Sequence, residues 1–91
     1  MLYVLGHTKC GAVAATMKGD SVPGVISSLY YHIQPACDKT TDIGEAVAEN
    51  VMLQVRQLSV SPVLRELVKN GLLKIVGGVY DLETGKVTEV C

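Results

Sequence analysis

The sequence predicts an α/β fold, a small parallel sheet flanked by helices and closed by a C-terminal β-hairpin. Three observations carry this. An apolar strand ends at a glycine and leads into a helix near the N-terminus, a long helical stripe occupies the middle, and a second apolar strand with a hairpin turn follows at the end. The 91 residues are expected to form one domain, 1–91, with a modest core.

Leu2-Tyr3-Val4-Leu5 is apolar at every position and stops at Gly6, the pattern of a strand covered on both faces. Thr8 is placed to cap a helix over Cys10–Met17 that stops near Gly19. Ser21-Val22-Pro23-Gly24 reads as a turn. Val25 to Gln34 reads as a short helix with Ile26, Leu29, Tyr30 and Ile33 on one side, ended by Pro35 and the polar Asp38-Lys39-Thr40-Thr41. Asp42 with Glu45 has capping-box spacing, and Ile43, Ala46, Val47, Val51, Val55 and Leu58 recur at helical period behind it. Ser61 before Pro62 marks a fresh helix start, and Gly71 follows that helix's end at Asn70. Leu72–Tyr80 reads as a buried strand, Asp81–Gly85 as a turn, and Lys86–Val90 as an antiparallel edge strand. The two strands joined through helices should be parallel, giving a sheet of at most three strands.

Composition narrows the function. Lys and Arg nearly balance Asp and Glu at a formal charge of −1, without any basic run, which disfavours nucleic acid and anionic membranes as partners. No apolar run reaches the roughly 20 residues of a membrane span and no basic leader is present, so the chain is expected to be soluble and cytoplasmic. A mean hydropathy of +0.32 is high for so small a chain and points to apolar surface buried between copies, in a homodimer or larger homo-oligomer. Cys10, Cys37 and Cys91 are odd in number and widely spaced, which suits reduced thiols rather than a disulfide framework.

His7 and Cys10 stand where the first strand becomes a helix. Imidazole and thiolate are ligands that zinc favours, and the dipole at a helix N-terminus favours an anionic one. His-x-x-Cys alone is a common spacing, and by itself it is better explained by a capping or hydrogen-bonded imidazole at a strand end beside a small buried thiol. Asp20, His32, Cys37 and Cys91 have no spacing that requires them to face His7.

The surrounding residues add to this. Val4-Leu5-Gly6-His7-Thr8-Lys9-Cys10-Gly11-Ala12-Val13 resembles the second metal-binding motif of the β-class carbonic anhydrases. Gly71–Val87 resembles that family's last core strand and hairpin, and Glu49–Leu64 its helix pair with a Ser-Pro start. The resemblance covers essentially the whole chain. It implies a truncated β-carbonic anhydrase-like fold corresponding to the C-terminal half, in which His7 and Cys10 match two of three zinc ligands and Gly11 the glycine beside the substrate pocket. The implied reaction is the zinc-dependent reversible hydration of carbon dioxide to bicarbonate, zinc lowering the pKa of a bound water. The family's third ligand and its aspartate and arginine come from a Cys-x-Asp-x-Arg motif that this sequence lacks, and they would lie upstream of Met1. The expectation is therefore a chain inactive or nearly so by itself, with no catalytic residue of its own. The alternative is a non-catalytic oligomerising remnant with no bound metal. Pairing of the 2–5 edge across a twofold axis near Val4 would send the two His7 residues to opposite ends, so a zinc shared by two copies needs another interface.

Overall fold

The computed structural model describes residues 1–19 and 26–91. The element order is β1 (Leu2–His7), α1 (Gly11–Lys18), α2 (Ile26–Cys37), α3 (Ile43–Ser59), α4 (Pro62–Lys69), β2 (Ile75–Tyr80) and β3 (Val87–Glu89). The sheet runs β1-β2-β3, parallel between the first pair and antiparallel between the second. Leu2 stands opposite Ile75 and His7 opposite Tyr80, so the two parallel strands end level with each other.

α3 lies across both β1 and β2, and glycines make that approach possible. A Cβ on Gly6 would fall 2.7 Å from Val51 Cγ2, and one on Gly77 would fall 2.6 Å from Val51 Cγ1. Val51 thus sits as a knob in the groove between two neighbouring strands, where real side chains would hold the helix off. The remaining core is Val13, Ile33, Cys37, Ala46 and Val47, with Cys10, Ala12, Met17 and Val79 against it. Thr16, the buried polar residue of α1, satisfies its hydroxyl by donating to the Ala12 carbonyl at 2.8 Å.

The structure corrects several expectations. β1 is covered on one face: Leu2, Val4 and Gly6 are half-buried while Tyr3, Leu5 and His7 are exposed. An apolar run without alternation reads as doubly buried, but the layer of helices lies on the Gly6 side. Tyr3 instead lies across Gly78 on the other face. Cys10, not Thr8, is the N-cap of α1, and it makes no side-chain cap bond. α2 continues through Pro35 to Cys37, because Ile33, Ala36 and Cys37 are all buried and hold the last turn in place. Leu29 is exposed. The Ser21–Gly24 turn lies outside the described residues. β2 begins three residues later than the apolar run, with Leu72 exposed, and β3 is confined to Val87–Glu89.

The helix ends follow their sequence signals. Asp42 accepts from the Glu45 amide at 3.0 Å, a cap worth about 1 kcal/mol. The Glu45 carboxylate goes to the Thr40 hydroxyl rather than back to the Asp42 amide, which itself donates to Thr40 Oγ1 at 3.1 Å. Gly19 and Gly71 close α1 and α4 at φ 71° and 73°, where a side chain would be strained. Beyond β3, Val90 and Cys91 both bond to Gly77, forming a bulge that brings the Cys91 thiol toward Val51 and Val55. No helix among the described residues is long and apolar enough to cross a membrane.

Candidate metal centre

His7 is the last residue of β1, and its side chain is exposed. Its ring Nδ1 lies 2.9 Å from the Thr8 carbonyl oxygen, an acceptor only, so Nδ1 carries the hydrogen and donates. Nε2 then keeps its lone pair, the arrangement in which a histidine serves as a metal ligand. Lys9 takes φ 57°, turning the chain sharply, and Cys10 follows as the N-cap of α1, half-buried against the core with its carbonyl accepting from the Ala14 amide at 3.0 Å. Gly11 opens the helix, and a Cβ there would meet nothing within 4 Å, so space is left open in front of α1.

The turn between β1 and α1 is tied to the β2–β3 turn. The Thr8 amide donates to the Tyr80 carbonyl at 2.9 Å, the Thr8 hydroxyl accepts from the Leu82 amide at 3.0 Å, and Lys9 Nζ meets Glu83 Oε1 at 2.8 Å. Sequence reading missed these contacts. It assigned Thr8 to helix capping, and its own parallel-strand expectation, carried through to the register His7 opposite Tyr80, would have put Thr8 beside Asp81 and Leu82.

The other thiols and imidazole are engaged elsewhere. Cys37 is buried, its thiol 3.9 Å from the Val13 carbonyl. Cys91 lies beside Gly77, level with Val4 rather than with His7. The His32 ring packs edge-on against Tyr31. Asp20 lies outside the described residues. Among the described residues no group of three or more His, Cys, Asp and Glu side chains comes together as a metal site. His7 and Cys10 suit zinc in kind but fall short in number, since a zinc site normally takes at least three protein ligands.

Burial, and then the Asp38 carboxylate beside it, raise the Cys37 thiol from its ordinary value of 9.0. The folded state therefore holds this proton more tightly than the unfolded chain. The resulting stability is fully present below about pH 9 and is lost as pH rises through the folded-state value. The expected result is a urea midpoint that falls above pH 9 in the wild type and falls less in Cys37→Ala; equal slopes in the two proteins would refute it.

A family model described as carbonic anhydrase matches residues 1–87. This chain belongs to the β-carbonic anhydrase family. A carbonic anhydrase of Synechococcus elongatus is 30% identical over 102 residues, an alignment taking in 98% of this chain and 38% of the relative. Carbonic anhydrase 1 of Escherichia coli O157:H7 is 29% identical over 97 residues, taking in 94% of this chain and 44% of the relative. The chain thus spans less than half the length of these curated carbonic anhydrases. Among solved structures, the Coccomyxa β-carbonic anhydrase in complex with acetazolamide superposes with a TM-score of 0.76 at 26% identity, covering 99% of this chain and 47% of that one. One of the tetrameric β-carbonic anhydrases of Sordaria macrospora gives 0.85 at 21% identity, covering 97% and 50%, and shows the shared fold. The α/β architecture inferred from the sequence is the fold of these carbonic anhydrases.

Proposed function

We propose that His7 and Cys10 are two protein ligands of a carbonic anhydrase zinc centre, with Gly11 beside its pocket, and that the isolated chain is inactive or nearly so. The observation that carries this is the His7 ring, whose Nδ1 is committed to the Thr8 carbonyl and whose Nε2 makes no hydrogen bond among the described residues, three residues before a thiol at the start of α1. Zinc, when bound, supplies a Lewis acid that makes water a nucleophile toward carbon dioxide near neutral pH. This chain's own residues would hold the metal from one side: His7 with an imidazole fixed in orientation, Cys10 with a thiol anchored against the core, and Gly11 by leaving space. The donors are two, and the sequence holds no Cys-x-Asp-x-Arg segment to supply a third together with an aspartate and an arginine. Weak zinc binding and negligible hydration follow.

A second reading is favoured by the outer edge of β1. Among the described residues no strand pairs with that edge, Leu2–His7 contains no charged residue, and its Tyr3 and Leu5 are 41% and 55% exposed. An uncharged, apolar edge is a template for pairing with another chain. The relatives from Sordaria macrospora are tetrameric. In this reading the chain is a non-catalytic homodimer or larger homo-oligomer without metal.

The deciding experiment is zinc content per chain after exposure to zinc and removal of excess, with mass by light scattering and carbon dioxide hydration by stopped flow. The expected result is zinc well below one per chain and hydration at the buffer rate. Zinc near one per chain, with hydration that a chelator abolishes, would overturn the proposed inactivity. A multimer that takes up no zinc at any concentration would overturn the ligand assignment in favour of the second reading.

A further inference from the structure

We propose that the β2–β3 turn is a strut that sets the orientation and tautomer of the His7 imidazole, with Thr8 as the positioning residue. The consequence for metal affinity rests on the ligand reading of His7; the consequence for the ring does not. Thr8 is held at three atoms. Its amide donates to the Tyr80 carbonyl at 2.9 Å and its hydroxyl accepts from the Leu82 amide at 3.0 Å, both across the sheet from the hairpin. Its carbonyl accepts from His7 Nδ1 at 2.9 Å.

The first two bonds fix the Thr8 peptide relative to β2, and the third passes that position on to the ring. A carbonyl can only accept, so the ring must keep its hydrogen on Nδ1, against the preference of a free imidazole for the Nε2–H form. Locking a ligand's tautomer through its second nitrogen is worth about 10–100-fold in metal affinity in characterised sites. The Lys9–Glu83 ion pair joins the same two turns, but both side chains are 70% exposed and such pairs contribute little. Thr8 therefore carries the coupling. The hairpin tip, distant in sequence from both ligands, becomes part of the support of the site.

The test compares Thr8→Val, which keeps the shape of the side chain and removes the acceptor, with Thr8→Ser, which keeps the acceptor. Long-range proton–nitrogen correlation spectra of the imidazoles are recorded without metal above neutral pH, with His32→Gln used to assign the two histidines. The expected result is an Nδ1–H ring for His7 in the wild type and in Thr8→Ser, and a shift toward Nε2–H in Thr8→Val. A Thr8→Val ring unchanged from wild type would overturn the proposal. Should Thr8→Val lose its dispersed amide spectrum, the wild type decides: an Nε2–H ring, or a Leu82 amide that exchanges as fast as an open turn, overturns it.

Cobalt(II) titration then separates this inference from the ligand reading. The expected result is roughly 10–100-fold weaker binding by Thr8→Val, with Thr8→Ser close to wild type. Cobalt bound equally by wild type and Thr8→Val would overturn the strut's effect on affinity while leaving the ligand reading intact. No cobalt bound by wild type, with the tautomer still moving in Thr8→Val, would remove the ligand reading and leave the strut.

Discussion

Gly77→Val is expected to remove most of the stability of this protein. A Cβ at this position would fall 2.6 Å from Val51 Cγ1, 2.9 Å from Cys91 Sγ and 3.1 Å from Val55 Cγ2. Val51 is buried on the middle of α3, so it has no solvent to retreat into, and the helix must lift or the strand must bend. Overpacking by single methylenes costs about 1–3 kcal/mol, and valine places three carbons where one already collides. Against a total of about 5–15 kcal/mol for a natural protein, that is enough to leave a large unfolded fraction. Gly77→Ala should be milder, and Val51→Ala should partly rescue it, because the methyl removed from Val51 is the one the new Cβ meets. A double-mutant cycle read from urea midpoints should give a coupling of about 0.5–3 kcal/mol in the rescuing direction. Strict additivity of the two substitutions would mean that α3 does not sit on the glycine in the way described.

Cys10→Ser is expected to weaken zinc binding by more than about 100-fold, beyond the range usual for a residue that only supports a ligand. Thiolate is the softer of the two donors, and serine offers zinc no comparable ligand. The residue is half-buried and makes no side-chain cap bond, so the exchange should alter thermal stability only slightly. Cys37→Ala and Cys91→Ser are the controls, since the one thiol is spent on the Val13 carbonyl and the other lies beside Gly77. Competition against a chromophoric chelator measures the affinities, and melting curves taken in parallel separate metal loss from unfolding. Zinc held by Cys10→Ser as tightly as by wild type would end the case for Cys10 as a ligand.

The parts of the fold legible in the sequence are those that local chemistry decides. Asp42 three residues before Glu45, Pro62 after Ser61, and Gly19 and Gly71 after helical stripes each announce a helix end through a bond or a φ angle that few residues can supply. The hairpin turn ending at Gly85, with φ 72°, is legible for the same reason. What was not legible depends on neighbours far along the chain. Leu2–Leu5 carries no alternation to say that helices cover one face, and that is known only once α3 is seen lying over Gly6. Pro35 looks like a helix stop, yet burial of Ala36 and Cys37 outweighs one missing backbone hydrogen bond. Thr8 had two uses open to it, a cap on α1 or an acceptor for a distant amide, and only the packed sheet chooses between them. Of the candidate site, the sequence singled out His7, Cys10 and Gly11 as candidates, whereas the tie from the hairpin to the imidazole was not legible in it.

The parallel pairing of β1 with β2 also governs when the site can exist during synthesis. The Thr8–Leu82 bond spans 74 positions in sequence. Residues 1–10 are made ahead of four helices, and those helices come before the strand that supports the turn. A contact so remote pays its loop-closure cost before it returns any stabilisation, so it forms among the last. Until β2 emerges, Leu2–Leu5 lacks the strand it pairs with, and the His7–Cys10 turn matures only when the β2–β3 hairpin is free to fold back. A ribosome-stalled chain ending before β2 would therefore lack the Thr8–Leu82 bond, and with it the tie between the His7–Cys10 turn and the hairpin.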